Sequence, residues 1–231
     1  MGLARKVAVI GAGMTQFHHR LHIDKTSRDL FVEAALEALD SVDSGMNPKD
    51  IEALYVGNFS SDAFEHQGHL GSLMADWLGV IPIPAVRIED ACASSGVAIQ
   101  LGILAVASGA FDMVMVGGVE KMRTLSTEEV TDALATASDE IYEASVGMTF
   151  PGLYASMATA HFAKYVSSWE DLAAISIKNH HNGSLNPKAQ FQEEIMDTAR
   201  RRGPREGYDF KDEMDFLRSP LNPLVAYPLR L

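Results

Sequence analysis

Apolar positions along the 231-residue chain fall into short β-branched runs and longer helical stripes that follow one another in turn. KVAVI (6–10) ends at Gly11 and predicts a strand. SRDLFVEAALEALDSV, from Ser27, places Leu30, Ala34, Leu36 and Leu39 at helical spacing and predicts a helix with Ser27 as N-cap. IEALYVGN (51–58) predicts a strand, HLGSLMADWLG (69–79) a helix and PAVRIED (84–90) a strand. Ala93 to Ser108 is apolar nearly all round, as in a helix enclosed within a fold, and FDMVMVGG (111–118) predicts a further buried strand. Strands alternating with helices imply an α/β fold on a mostly parallel sheet covered on both faces.

After Glu120 the texture changes to polar, irregular sequence with a Gly-Pro-rich stretch, VGMTFPGLY. Helical segments follow at 155–166 and 169–181, then the charged stretch ARRRGPREGYDFKDE. This part is expected to be an inserted or appended lobe and not a continuation of the sheet. The most apolar segment, SSGVAIQLGILAVASGAFDMVMVGG, contains Gln100, Asp112 and internal glycines, so it reads as a helix followed by a strand and not as a membrane span.

Composition narrows the function classes. Hydrophobic residues make up 47% and charged residues 22%, values of a soluble globular protein. With 31 acidic and 19 basic residues the formal charge is −12, and the summed field repels nucleic acid and anionic membranes. A single cysteine makes no intramolecular disulfide, and with no signal peptide a reducing cytoplasm is the expected compartment.

Four features are candidates for chemistry. VIGAGMTQF (9–17) partly matches the dinucleotide fingerprint, but Gln16 stands where its third glycine belongs and the predicted helix begins too far on to meet a pyrophosphate. Gly11 and Gly13 are expected instead to let the strand turn sharply. The eight histidines include the close sets HHRLH and HQGH, but no cysteine or carboxylate cluster completes a metal site, and no metal is expected. Arg200, Arg201 and Arg202 form a basic cluster in an acidic chain, either a solvated loop or an attractor for a nucleotide phosphate.

The fourth is EDACASSGVAIQ (89–100), which holds the only cysteine. A free cysteine is commonly a buried, inert side chain. Cys92, however, falls between a predicted strand and the start of an apolar helix. A thiol there meets unsatisfied backbone N–H groups and the positive end of the helix dipole, which favour the thiolate. Its own N–H is placed to help hold an oxyanion, and Ala91, Ala93, Ser94, Ser95 and Gly96 leave room for a substrate.

Together with VAVIGAGMTQF, VMVGGVEKM, FPGLYASMA and NHHNGSLNPKAQF, the EDACASSG motif resembles the thiolase superfamily, in particular the archaeal and sterol-carrier-protein-like acyltransferases. The resemblance runs over nearly the whole chain. It implies an α/β thiolase-like fold of two similar halves with a loop domain inserted in the first. Residues 1–119 would then be the N-terminal core lacking its last strand, and 120–231 the loop domain, with Glu120 to Met122 near the entrance to the site. The implied chemistry is ping-pong acyl transfer through Cys92, making or cleaving a short 3-oxoacyl-CoA such as acetoacetyl-CoA, with a coenzyme A thioester as substrate and no other cofactor.

The alternatives are a thiolase or carbon–carbon lyase acting on longer or sterol-derived CoA esters, and a non-catalytic CoA-binding subunit. The family's second half supplies a general-base histidine, a further oxyanion group and a second reactive residue, and no motif here matches them. A completing half on another chain, or one lost by truncation, is therefore expected, since one side of the apolar helix would otherwise face water, and without the general base the chain by itself is expected to be acylated only weakly. The resemblance also implies a homo-oligomer, and as partners a small zinc-ribbon and OB-fold protein and 3-hydroxy-3-methylglutaryl-CoA synthase.

Overall fold

The computed structural model describes residues 5–18 and 20–222. The described residues of 1–15 and 19–137 form one compact unit, and those of 16–18 and 138–231 a second.

In the first unit, helix α1 (Ser27–Asp40) leads to strand β1 (Ala53–Gly57), the short helix α2 (Ser61–Glu65), α3 (Leu70–Trp77), β2 (Ala85–Ile88), α4 (Ser94–Ala107), β3 (Val114–Gly118) and α5 (Thr127–Ala135). The three strands form a parallel sheet in the order β2-β1-β3. Gly57 lies level with Ile88 on one side and Gly118 on the other, so all three strands end at one edge.

The period-2 alternation of β1 explains the layering. Leu54 and Val56 face one side and join Phe31, Ala35 and Leu39 of α1 and Leu70, Met74 and Ala75 of α3 in a single buried core. Removing a side chain such as Leu54 or Met74 from this core would cost about 2–5 kcal/mol. On the opposite side α4 packs so closely that a Cβ on Gly102 would stand 2.5 Å from the Val116 side chain.

Several sequence expectations need correction. Residues 6–10 form no strand, and Val9 is 89% exposed. β-branched residues need a neighbouring strand to make a ladder, and none pairs with this segment among the described residues. Gly11 and Gly13 serve close packing and not a sharp turn: a Cβ at either would fall within 2.4 Å or 2.1 Å of an α1 carbonyl. The N–H groups of Ala12 and Met14 donate to Ser41 and Glu37, so this stretch is docked on α1. Thr26, not Ser27, caps α1 in a reciprocal capping box with Asp29, while Ser27 is bonded through its N–H and hydroxyl to Glu65. The buried stripe of α1 is Ser27, Phe31, Ala35 and Leu39, and Leu36 is exposed. Helix α4 buries one face only, with Ile99 53% exposed and Leu101, Ile103 and Leu104 also exposed.

The second unit is helical: α6 (Phe150–Lys164), α7 (Trp169–Ser184), α8 (Ile195–Arg202) and α9 (Glu213–Arg218). α6 begins earlier than its sequence pattern suggests because Pro151 suits a first turn, where no donated N–H is needed. Ala173, Ile195, Ala199, Phe216 and Leu217 form its core. α5, α8 and α9, absent from the sequence expectation, are short and rich in charge, so few apolar residues mark them.

Candidate active site

Cys92 lies beyond the carboxyl end of β2, in a single 3-10 turn (Ala91–Ala93) that runs directly into α4. In parallel α/β sheets this edge is where ligands bind. The cysteine is exposed. Ala91 immediately before it has φ of 46°, a left-handed conformation that strains a residue with a Cβ by about 1–3 kcal/mol.

A local network holds that strain. The Ala91 N–H donates to Glu89 (2.6 Å), the Asp90 N–H to the Ser94 hydroxyl (2.9 Å), and that hydroxyl to the Ala91 carbonyl (2.7 Å). The Ala93 N–H closes the turn on the Asp90 carbonyl at 2.8 Å. The result is a sharp elbow just past the sheet edge, with the cysteine exposed on it.

The elbow is seated by glycine. A Cβ on Gly57 would stand 2.6 Å from the backbone of Ser95, and one on Gly118 would stand 1.8 Å from the Ser95 hydroxyl oxygen. The first turn of α4 thus rests directly on β1 and β3. No side chain caps this helix, and Gly96 has open space around it. The helix that starts two residues after Cys92 thus has no side-chain oxygen capping its N-terminus.

A second cluster borders the elbow. The loop after β1 is gripped from both sides. Glu120, just past β3, accepts from the Phe59 N–H (2.8 Å), the Ser60 N–H (3.3 Å) and the Asn58 side-chain amide (3.1 Å). Arg87, on β2, donates to the carbonyls of Asn58 (3.3 Å) and Phe59 (2.5 Å) and pairs with Asp62 (2.6 Å). Burial pushes the Glu120 carboxyl above its ordinary value, against the pull of the Phe59 and Ser60 N–H groups, the Arg87 charge and Asn58. Lys121 is buried and its amine donates to the His22 carbonyl.

Glu120 was singled out from the sequence, by resemblance. Asn58 and Arg87 were not. Their available signals were a polar residue ending an apolar strand and a lone cation inside one.

In the second unit, Arg200, Arg201 and Arg202 occupy the last turn of α8. Arg201 grips Glu193 with two contacts of 2.6 Å and holds its carboxyl below the ordinary range; Arg200 lies 3.9 Å from Asp197. Arg200 and Arg201 are exposed and Arg202 is half-buried. Among the described residues no group of three or more His, Cys, Asp or Glu side chains could hold a metal ion, and no helix is long and apolar enough to cross a membrane.

Comparison with known proteins bears on this arrangement. The family profile described as "Thiolase, N-terminal domain" matches residues 7–224. An acetyl-CoA acetyltransferase of Methanothermobacter thermautotrophicus is 48% identical over 187 residues, which is 81% of this chain and 47% of that protein. Benzoylsuccinyl-CoA thiolase subunit BbsB of Thauera aromatica is 35% identical over 196 residues, 84% of this chain and 48% of that protein. Among solved structures, the Ltp2-ChsH2(DUF35) aldolase aligns with a TM-score of 0.58 at 22% identity, over 81% of this chain and 46% of that one. The chain spans about half the length of the relatives it matches.

Proposed function

The chain belongs to the thiolase family through its N-terminal domain, and on that premise we propose that it is the acyl-accepting portion of a short-chain acyl-CoA acyltransferase. The observation that carries this is the placement of its single thiol. Cys92 stands exposed on a strained elbow, at the carboxyl edge of a parallel sheet and ahead of an uncapped helix.

In the proposed reaction the Cys92 sulfur attacks the thioester carbonyl of an acyl-CoA. The oxyanion formed is stabilised by the Cys92 N–H, the carbon–sulfur bond to coenzyme A breaks, and coenzyme A leaves as the thiol, its proton balancing the one that the Cys92 thiol gives up. The acyl group remains as a thioester on Cys92. It then passes to the α-carbon of a second acyl-CoA, which gives up a proton as the new carbon–carbon bond forms and the Cys92 sulfur leaves with a proton restored, giving a 3-oxoacyl-CoA such as acetoacetyl-CoA; in the reverse direction the acyl group comes from the 3-oxoacyl-CoA and passes to the sulfur of coenzyme A. The 48% identity to an acetyl-CoA acetyltransferase supports an acetyl group.

We place the coenzyme A phosphates on the second unit, with Arg200, Arg201 and Arg202 as candidates, because they are a basic cluster in a chain of net charge −12. The exposed apolar residues Ile99, Leu101, Ile103 and Leu104 of α4 are the surface on which we place the further half that the resemblance implies.

A second reading, a subunit acting on a larger acyl-CoA, is favoured by the 35% identity to a benzoylsuccinyl-CoA thiolase subunit. Acyl transfer to the protein from a series of CoA esters, followed by intact mass, separates the two. Preference for acetyl-CoA supports the first reading, preference for bulky aryl or sterol esters supports the second, and no transfer from any ester contradicts both.

A further inference from the structure

We propose that Glu120 is a positioning residue for the thiol elbow: through the Asn58–Ser60 loop, its carboxylate holds the end of β2 from which Ala91 and Cys92 depart. This rests on Cys92 being the acylated thiol.

Ala91 keeps its left-handed backbone only if the chain on either side is held firmly. On the helix side the restraint is Ser94. On the strand side it is Ile88, whose carbonyl accepts from the Asn58 N–H at 3.1 Å. Asn58 is 1% exposed and is itself tied to Val119 (2.8 Å) and Glu120 (3.1 Å) through its amide nitrogen and to the Ser61 N–H (3.1 Å) through its oxygen. Arg87 grips the same loop from β2, only five residues before Cys92 in sequence.

The choice of an acid is informative. Burial disfavours the charge of Glu120, so a neutral acceptor in its place would relieve a desolvation cost. A charged acceptor gains something else: stronger and more directional bonds to two adjacent backbone N–H groups. That gain is in the geometry of the loop beside the elbow. The charged groups around Glu120 are Arg87 on β2, Asp62 on α2, which pairs with Arg87, and the neighbouring Lys121, whose amine is engaged by the His22 carbonyl.

The test compares wild type, Glu120→Ala and Glu120→Gln in the full chain. It uses residue-resolved amide exchange, corrected for intrinsic rates, together with acetyl transfer from acetyl-CoA to Cys92. In Glu120→Ala, protection at Phe59 and Ser60 is expected to fall on the order of tenfold, and with it protection at Ala91 and Ala93, while Leu54 and Val56 keep theirs. Acylation falls by about tenfold or more through its maximal rate, with the half-saturating acetyl-CoA concentration unchanged. Glu120→Gln keeps the volume and one acceptor and gives intermediate values; it carries the comparison should the alanine variant not fold.

Loosening confined to Phe59 and Ser60, with Ala91 and Ala93 unchanged, overturns the inference. So does unchanged acylation in a chain whose loop has loosened. If wild-type Cys92 takes no acetyl group, the proposed function fails, while exchange at Ala91 and Ala93 still decides whether Glu120 holds the elbow.

Discussion

The Ser95 hydroxyl occupies the place that a side chain at position 118 would need: a Cβ on Gly118 would lie 1.8 Å from its oxygen. This contact seats the helix that begins two residues after Cys92. Gly118→Ala is expected to push α4 off the sheet and destabilise the first unit by about 1–3 kcal/mol. Adding Ser95→Ala should recover much of that loss. Gly57→Ala meets the backbone of Ser95, at 2.6 Å, and Ser95→Ala should not rescue it. Urea unfolding of the single and double variants measures both, and equal rescue at the two glycines would contradict the packing described.

Glu120 gives stability an unusual pH dependence. Its folded pKa is raised, so the folded state holds its proton more tightly than the unfolded state. The contribution of this group to stability is therefore largest below the ordinary carboxylate value and is lost as pH rises through the folded pKa. Relative to Glu120→Gln, wild type should gain stability as pH falls across that window. Thermal melts of the pair at matched pH read the difference, and a gap of opposite slope would mean that the carboxylate is stabilised, not destabilised, by its surroundings.

Asp29 and Glu129 behave in the opposite sense. The Thr26 N–H and hydroxyl hold Asp29 below its ordinary value, and the Ser126 N–H and hydroxyl do the same for Glu129. Their contribution is present above the unfolded pKa and is lost as pH falls through the lowered folded values. The Asp29→Asn and Glu129→Gln variants should accordingly show a stability deficit at neutral pH that narrows in acid.

Arg201 is already occupied by Glu193. If it contacts a phosphate of coenzyme A, Glu193→Gln should tighten binding of coenzyme A several-fold by releasing the guanidinium, and reversing Arg200, Arg201 and Arg202 together should weaken binding and reduce its salt dependence. Because the Arg201–Glu193 pair is exposed and screened by solvent, its loss should change stability little. Unchanged coenzyme A affinity in both variants, by calorimetry, would return the cluster to a solvated helix end.

The sheet was legible in the sequence because IEALYVGN, PAVRIED and FDMVMVGG each combine β-branched residues with a turn signal, and each contains an observed strand. KVAVI carries the same signal and fails, because pairing is a property of the neighbour and not of the segment. The elbow was legible from the abrupt change at EDACASSG, but its strain was not: nothing in the letters places the left-handed residue at Ala91, one position ahead of the cysteine. The two-sided grip of Glu120 and Arg87 on the Asn58–Ser60 loop joins residues up to 62 positions apart, which no local pattern encodes. α8 and α9 escaped notice because short charged helices show few apolar residues and owe their stability to packing, here around Ala199, Phe216 and Leu217, more than to intrinsic propensity.

The most direct measurement is covalent: the wild-type chain and Cys92→Ser are incubated with acetyl-CoA, digested, and mapped by mass spectrometry. The account predicts one acetyl group on the peptide containing Cys92, removable by neutral hydroxylamine as a thioester and missing from Cys92→Ser. An unlabelled wild-type chain, or label undiminished in Cys92→Ser, would contradict it.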